Sequence, residues 1–258
     1  MKEILNAFKS ALEKSGIDTV KVCVVSDFLA QPEIVEDLGC DSFHVARGRA
    51  IPFGTGLKLA NPELKVVVLV GDVLTLGGNH FIHAARRGMD LVVICVNNFV
   101  YPKIGGNLAP AVESSFSTYA TFERPVNVPH VARSSGAVYV ARWTARHESG
   151  LTDSLTQALR KRGFSLVEVI SPGTGYFAGM PDLENQSEIL EFYYENSMIK
   201  DGEDTKNVEI DPEKKIVVGK FFEQERPTYI DSYNTQLSKV LGDKFQPYGI
   251  PKKHDKDV

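Results

Sequence analysis

Apolar runs alternate along the chain with segments whose apolar residues recur at helical spacing. The runs at residues 20–25, 65–70, 91–96, 137–141, 164–170 and 216–222 predict strands, the last of them an edge strand. The segments at residues 4–12, 33–38, 79–87, 128–133, 150–162, 183–199 and 230–241 predict helices. The central runs are apolar throughout, as in strands buried on both faces. We therefore expect an α/β fold with a mostly parallel sheet and helices on both faces.

One stretch, residues 63–106, combines this pattern with candidate chemistry. It reads ELKVVVLVGDVLTLGGNHFIHAARRGMDLVVICVNNFVYPKIGG, with Asp72 just after one strand and Asn98 just after the next. Ligands in such sheets bind at the carboxyl ends of the strands, and Mg²⁺ prefers oxygen ligands. A helix opening at Gly77-Gly78 would point free N–H groups at a phosphate. On the residues alone, the alternative that this GD and NN occur together by chance stays open.

The spacing resembles the thiamine diphosphate motif, in which GDG is followed by NN at a similar distance. GGNHFIHAARR, DLVVICVNNFVY and GRAIPFGTGLKLANPELKV resemble the β subunits of 2-oxoacid:ferredoxin oxidoreductases. Further along the chain, GFSLVEVISP and VVGKFFEQERPTY resemble the same family. The resemblance implies a thiamine diphosphate-binding fold and the oxidative decarboxylation of a 2-oxoacid to an acyl-CoA.

The resemblance also implies cofactors, thiamine diphosphate and Mg²⁺, and the positions that bind them. These positions are Gly71, Asp72, Gly77, Gly78, Asn79, His80, Asn98 and Val100, of which Asp72, Asn98 and Val100 would hold the metal. His44 and Lys103 are the catalytic candidates, against the alternatives of a local backbone contact and a solvated surface lysine. Arg49 is a candidate for phosphate or a substrate carboxylate, with a structural ion pair as its alternative. An α-type partner subunit would supply the catalytic glutamate, and electrons would pass to ferredoxin through the hetero-oligomeric complex.

The chain departs from the family pattern in two places. Residues 171–173 read SPG where family members have SPC, and Cys23, Cys40 and Cys95 form no CxxC pair. We therefore expect no iron–sulfur cluster in this chain. Val73 stands where the family has glycine, in a loop that is slightly shorter, and a valine at positive φ would be strained. These departures keep open a second hypothesis, a non-catalytic relative with a structural or assembly role.

Composition narrows the function class. The chain has 258 residues, a net charge of −4 and no basic block, which argues against nucleic-acid binding. No apolar run reaches membrane-spanning length, the N-terminal segment lacks the apolar core of a signal peptide, and the isolated cysteines suit a reducing cytoplasm. We expect a single domain over residues 1–258, with a C-terminal extension from about residue 180. The sequence leaves open which 2-oxoacid is used.

Overall fold

The computed structural model describes residues 2–27, 38–71, 73–98, 126–171, 186–211 and 214–249. The strands in this part of the chain are β1 (Val22–Ser26), β2 (Asp41–His44), β3 (Lys65–Val70), β4 (Leu91–Asn97), β5 (Tyr139–Thr144), β6 (Ser165–Ile170), β7 (Ser197–Ile199) and β8 (Ile216–Glu223). The helices are α1 (Lys2–Ser15), α2 (Ala50–Ala60), α3 (Val73–Arg87), α4 (Val128–Ser135), α5 (Glu148–Arg160), α6 (Gln186–Glu195) and α7 (Tyr229–Leu241).

The eight strands form one sheet in the order β2-β1-β3-β4-β6-β5-β8-β7. Every neighbouring pair is parallel except β5 and β8, which are antiparallel. The carboxyl ends of β1 to β6 therefore share one edge of the sheet. This edge is where a parallel sheet offers room for a ligand.

Helices cover both faces of the sheet, which confirms the predicted α/β class. On one face, Ile4 and Phe8 of α1 and Leu155 of α5 pack over the strands in a single apolar cluster. On the other face, a second cluster contains Phe81 of α3 and Ala132 of α4. Strands β3, β4 and β6 contribute to both clusters, which explains their continuous apolar sequences.

Two predictions near the C-terminus were wrong. The segment 183–199 does not form one helix, because α6 ends at Glu195 and residues 197–199 form β7 alongside β8. Strand β8 is not an edge strand, since β7 covers its outer side. The predicted helix at 33–38 lies almost wholly outside the described residues. Across the described part of the chain, none of the helices combines the length and the apolar character needed to cross a membrane.

Candidate functional site

The ends of β3 and β4 lie side by side at the carboxyl edge of the sheet. Val70 pairs with Cys95, and the Cys95 Sγ donates a hydrogen bond of 3.3 Å to the carbonyl of Gly71. Gly71 is buried, and Asn98, which follows β4, is half-buried. The sequence placed both residues in the cofactor site, and the sheet brings them to the same edge. Asp72, Val100 and Lys103, the other residues predicted around this point, lie outside the described residues.

A close backbone contact joins the glycine pair of α3 to the loop before α2. Gly48 has φ +72°, and a Cβ at this position would lie 2.5 Å from the carbonyl oxygen of Leu76. Gly77 has non-helical angles (φ −134°, ψ 15°) and kinks α3, while a Cβ there would lie 3.3 Å from the Gly48 oxygen. Side chains at these positions would push the two segments apart, so glycine is what permits the contact.

The start of α3 differs from the sequence-based prediction. The helix begins at Val73, several residues before the glycine pair, and Gly77-Gly78 marks a kink inside it. Val73 is buried in the apolar cluster that also holds Phe81. The position that the family pattern marked as a strained substitution is thus a core position at the first turn of a helix.

His44 lies at the end of β2 and is exposed, opposite Ser26 of β1. The residue that follows β1, Asp27, is buried, and its Oδ2 accepts a 2.7 Å hydrogen bond from the Gly48 N–H. Burial raises the pKa of Asp27, and hydrogen bonds from the Gly48 and Ala50 N–H groups only partly offset this. The Asp27 carboxyl group therefore occupies the N-terminal end of α2. Asp27 was not among the predicted site residues, although a polar residue directly after a buried strand was the available signal.

Three further predicted residues, Arg49, Asn79 and His80, lie next in sequence to the contact between Gly48 and the Leu76–Gly77 backbone. The Arg49 Nη1 donates to the carbonyl of Gly48 at 3.2 Å, and the side chain is exposed. Asn79 is exposed, and its Oδ1 accepts a 2.9 Å hydrogen bond from the backbone N–H of the half-buried His80. Both Asn79 and His80 follow directly after the glycine pair at the kink of α3.

A buried polar network joins Asn97, the last residue of β4, to strands β5 and β6. The Asn97 Nδ2 donates to the Glu168 Oε1 at 3.0 Å, and the Arg142 Nε donates to the Glu168 Oε2 at 2.6 Å. Glu168 and Arg142 both have a relative exposure of 0%. We name these three residues the Glu168 network. Arg142 follows directly after the predicted strand 137–141, whereas it lies within β5 in the structure. A charged residue inside one apolar run and another directly after a second run were the available signals.

The Glu168 network is tied to the C-terminal part of the chain. The Arg142 Nη1 donates to the carbonyl of Val208 at 2.6 Å. Just before Val208, Thr205 accepts at its carbonyl a 2.8 Å hydrogen bond from the Asn127 Nδ2, and Asp204 pairs with Arg133 at 2.8 Å. Asn127 caps α4. The segment 204–208 thus bridges α4 and the buried arginine.

The predicted metal site lies partly within the described residues. Among them, no three or more His, Cys, Asp and Glu side chains converge as a metal site would require. Of the three predicted Mg²⁺ ligands, only Asn98 belongs to the described chain. The amide oxygen of Asn98 is a hard donor of the kind that Mg²⁺ accepts. The ligand set as a whole stays a prediction.

Comparison with known proteins agrees with this geometry. Residues 25–169 match the family model of the thiamine pyrophosphate enzyme C-terminal TPP-binding domain. That range covers more than half of the chain and runs from β1 to β6, the part of the sheet whose strands are all parallel.

The relatives that match over most of their own length are subunits of oxidoreductases. The 2-oxoglutarate synthase subunit KorB of Methanothermobacter marburgensis is 40% identical over 93% of this chain and 86% of its own length. The KorB subunit of Methanocaldococcus jannaschii is 34% identical over 92% and 90%. A 2-oxoglutarate:ferredoxin oxidoreductase from Magnetococcus marinus shares the fold, with a TM-score of 0.78 at 24% identity over 93% of this chain and 84% of that one. The chain therefore belongs to the family of 2-oxoacid:ferredoxin oxidoreductase β subunits.

Proposed function

We propose that this chain binds thiamine diphosphate through Mg²⁺ at the carboxyl edge of the sheet and serves in the oxidative decarboxylation of a 2-oxoacid to an acyl-CoA. The observation that carries the proposal is the adjacency of Gly71 and Asn98 at the ends of two neighbouring parallel strands, within a thiamine-enzyme domain. When bound, thiamine diphosphate supplies the carbanion stabilisation that this decarboxylation needs.

The described residues fit such a cofactor. The Asn98 amide offers an oxygen ligand for Mg²⁺, and Asp72 and Val100 are its proposed companions. The contact between Gly48 and the Leu76–Gly77 backbone leaves no room for a Cβ, so the start of α3 is held at a fixed place beside this edge. Gly77, Gly78, Asn79 and His80 would border the diphosphate, with backbone N–H groups as donors to an anion.

The proposed substrate is 2-oxoglutarate. The KorB relatives that cover most of this chain are named 2-oxoglutarate synthase subunits, and they are 34–40% identical to it. His44, which is exposed at the end of β2, and Lys103 are the proposed groups that meet the substrate. A partner subunit would complete the site with the catalytic glutamate, and ferredoxin would accept the electrons from the assembled complex.

Cofactor binding to the purified complex tests the proposal. Thiamine diphosphate with Mg²⁺ at a hundred times its Kd should stabilise the protein by about 2.7 kcal/mol. For a chain of this size, that corresponds to a rise in Tm of roughly 5–10 °C. The substitution Asn98→Ala removes a proposed ligand and should weaken cofactor binding by at least about 10-fold.

A matched asparagine provides the control. Asn61 lies at the opposite edge of the sheet, where its Oδ1 accepts from the Glu63 N–H, so Asn61→Ala should leave cofactor affinity unchanged. If the wild-type complex shows no rise in Tm with cofactor and no bound thiamine diphosphate by mass spectrometry, the proposal is wrong. That result would favour the structural or assembly role instead.

A further inference from the structure

The Glu168 network is an unusual feature for the middle of an apolar sheet. Glu168 lies in the strand sequence SLVEVI and Arg142 in YVARWT, and the residues on either side of each are buried. Replacing a buried ion pair by apolar residues of similar volume is often neutral or stabilising. A contribution to stability alone therefore explains its presence poorly, and a role in orientation explains it better.

The chemistry of the three groups fixes the direction of each hydrogen bond. An ionised carboxylate accepts only, so Glu168 requires a donor from each neighbour. The Arg142 Nε is one donor, at 2.6 Å, and the Asn97 Nδ2 is the other, at 3.0 Å. The NH₂ end of the Asn97 amide is thereby held toward Glu168. The amide of Asn97, directly before Asn98, therefore has one defined orientation instead of the two that a side-chain amide can adopt.

We propose that Glu168 and Arg142 are positioning residues for the metal ligand Asn98, acting through Asn97. The inference rests on the proposed function, because it assumes that Asn98 binds Mg²⁺. Strand β4 ends at Asn97, so the torsion angles there set the direction in which Asn98 leaves the sheet. Arg142 is in turn fixed by the Val208 carbonyl, which connects the C-terminal segment 204–208 to the proposed metal site.

The substitution Glu168→Gln tests this arrangement with little change of volume. If the glutamine oxygen accepts from Arg142, its NH₂ group faces the NH₂ group of Asn97, and the Asn97 amide must turn over. Partners that orient metal ligands typically contribute about 10–100-fold to metal affinity. We expect the affinity of the purified complex for Mn²⁺, measured with thiamine diphosphate by the electron paramagnetic resonance of free Mn²⁺, to fall by about 10-fold.

A second pair of variants tests the pairing itself. Asn97→Asp places two carboxylates against each other and should also weaken Mn²⁺ binding. The double variant N97D/E168Q restores one donor and one acceptor, because the glutamine amide introduced on β6 donates to the new carboxylate on β4. It should recover most of the lost affinity. If Asn97→Asp alone binds Mn²⁺ more tightly than wild type, local charge explains the data and the proposal falls.

A mostly buried ion pair at the amino edge of the sheet, away from the proposed metal site, is the control for lost stability. Asp90 pairs with Lys58 at 2.9 Å and with Lys65 at 3.2 Å, just before the first residue of β4. Asp90→Asn should lower Tm and leave Mn²⁺ affinity unchanged. If Asp90→Asn weakens Mn²⁺ binding as much as Glu168→Gln does, the Glu168 network is only structural.

The wild-type complex separates this inference from the proposed function. If wild type binds Mn²⁺ with thiamine diphosphate and Glu168→Gln binds them equally well, the positioning role is wrong and the proposed function stands. If wild type binds neither, both are wrong.

Discussion

At the scale of single residues, Gly48 shows how one missing side chain determines a contact beside the site. Its φ of +72° would cost an alanine about 1–2 kcal/mol, and the new Cβ would lie 2.5 Å from the Leu76 carbonyl oxygen. Gly48→Ala should therefore lower the free energy of unfolding by about 3 kcal/mol or more in denaturant titration.

A comparison with Gly16 separates the backbone strain at positive φ from the clash with Leu76. It has nearly the same φ, +71°, but a Cβ there meets nothing within 4 Å. Gly16→Ala should thus show the backbone strain alone, about 1–2 kcal/mol. Equal effects at the two positions would mean that the contact with Leu76 contributes nothing.

The position of a residue could be predicted where it follows directly from a strand end, whereas partners that are distant in sequence could not be predicted. Gly71 and Asn98 could be placed at one edge because they terminate successive parallel strands. Glu168 was visible as a charged residue in an apolar run and Arg142 as a charged residue directly after one. Only the strand order shows that β5 and β6 are neighbours and that β4 supplies Asn97. Sequence spacing carries no information on that order.

At the scale of elements, α5 depends on a glycine that helix propensity alone would replace. A Cβ on Gly150 would lie 2.6–2.8 Å from atoms of the Trp143 ring, whose Nε1 donates to the Ser154 Oγ at 2.8 Å. Alanine gains about 1 kcal/mol in a helix, whereas overpacking costs about 1–3 kcal/mol. We expect Gly150→Ala to destabilise the protein by about 1 kcal/mol and to shift the emission of Trp143, the single tryptophan, to longer wavelength.

Gly56 in α2 is the control for Gly150, because we expect the opposite effect on stability there. A Cβ on Gly56 meets nothing within 4 Å, so Gly56→Ala should stabilise the protein by about 0.5–1 kcal/mol with unchanged fluorescence. Stabilisation by Gly150→Ala as well would show that α5 moves away from the ring at no cost.

The existence of most elements followed from periodicity, while their ends followed from tertiary contacts. The segment 183–199 has helical periodicity throughout, but the Asn196 carbonyl accepts from the Ile216 N–H at 2.9 Å and residues 197–199 pair with β8. Pairing with a strand that comes later in the chain stops the helix. Local propensity could not indicate that partner.

At the scale of the whole molecule, the fold class could be predicted from the sequence, whereas the order of the strands in the sheet could not. Apolar strands separated by helices predict parallel pairing with covered faces, and β1 to β6 follow that rule. The antiparallel β8 inserts between β5 and β7, where Gly219 has φ +140° and a Cβ would lie 2.8 Å from the Asp201 Oδ1. That close approach depends on a loop from elsewhere in the chain, and a glycine within a strand only hints at it.

The ion pairs of Asp90 with Lys58 and Lys65 lie at the amino edge of the sheet, and they lead to a prediction on acid stability. There, burial opposes the ionised form of Asp90, but Lys65 and Lys58 outweigh it and hold its pKa below the ordinary value. A lowered carboxyl pKa stabilises the fold above the unfolded pKa of about 3.9, and this stabilisation is lost as the pH falls through the lower folded value. Asp90→Asn should therefore cost about 3 kcal/mol at pH 7 and progressively less below about pH 4, in denaturant titrations at each pH.

An exposed ion pair provides the control for Asp90. Asp153→Asn removes the pair with Lys14, in which the Asp153 side chain is 57% exposed and the Lys14 side chain 55%, and it should cost less than about 1 kcal/mol. A pH-independent cost for Asp90→Asn would show that Asp90 acts through packing, since a charge contribution must disappear with the charge.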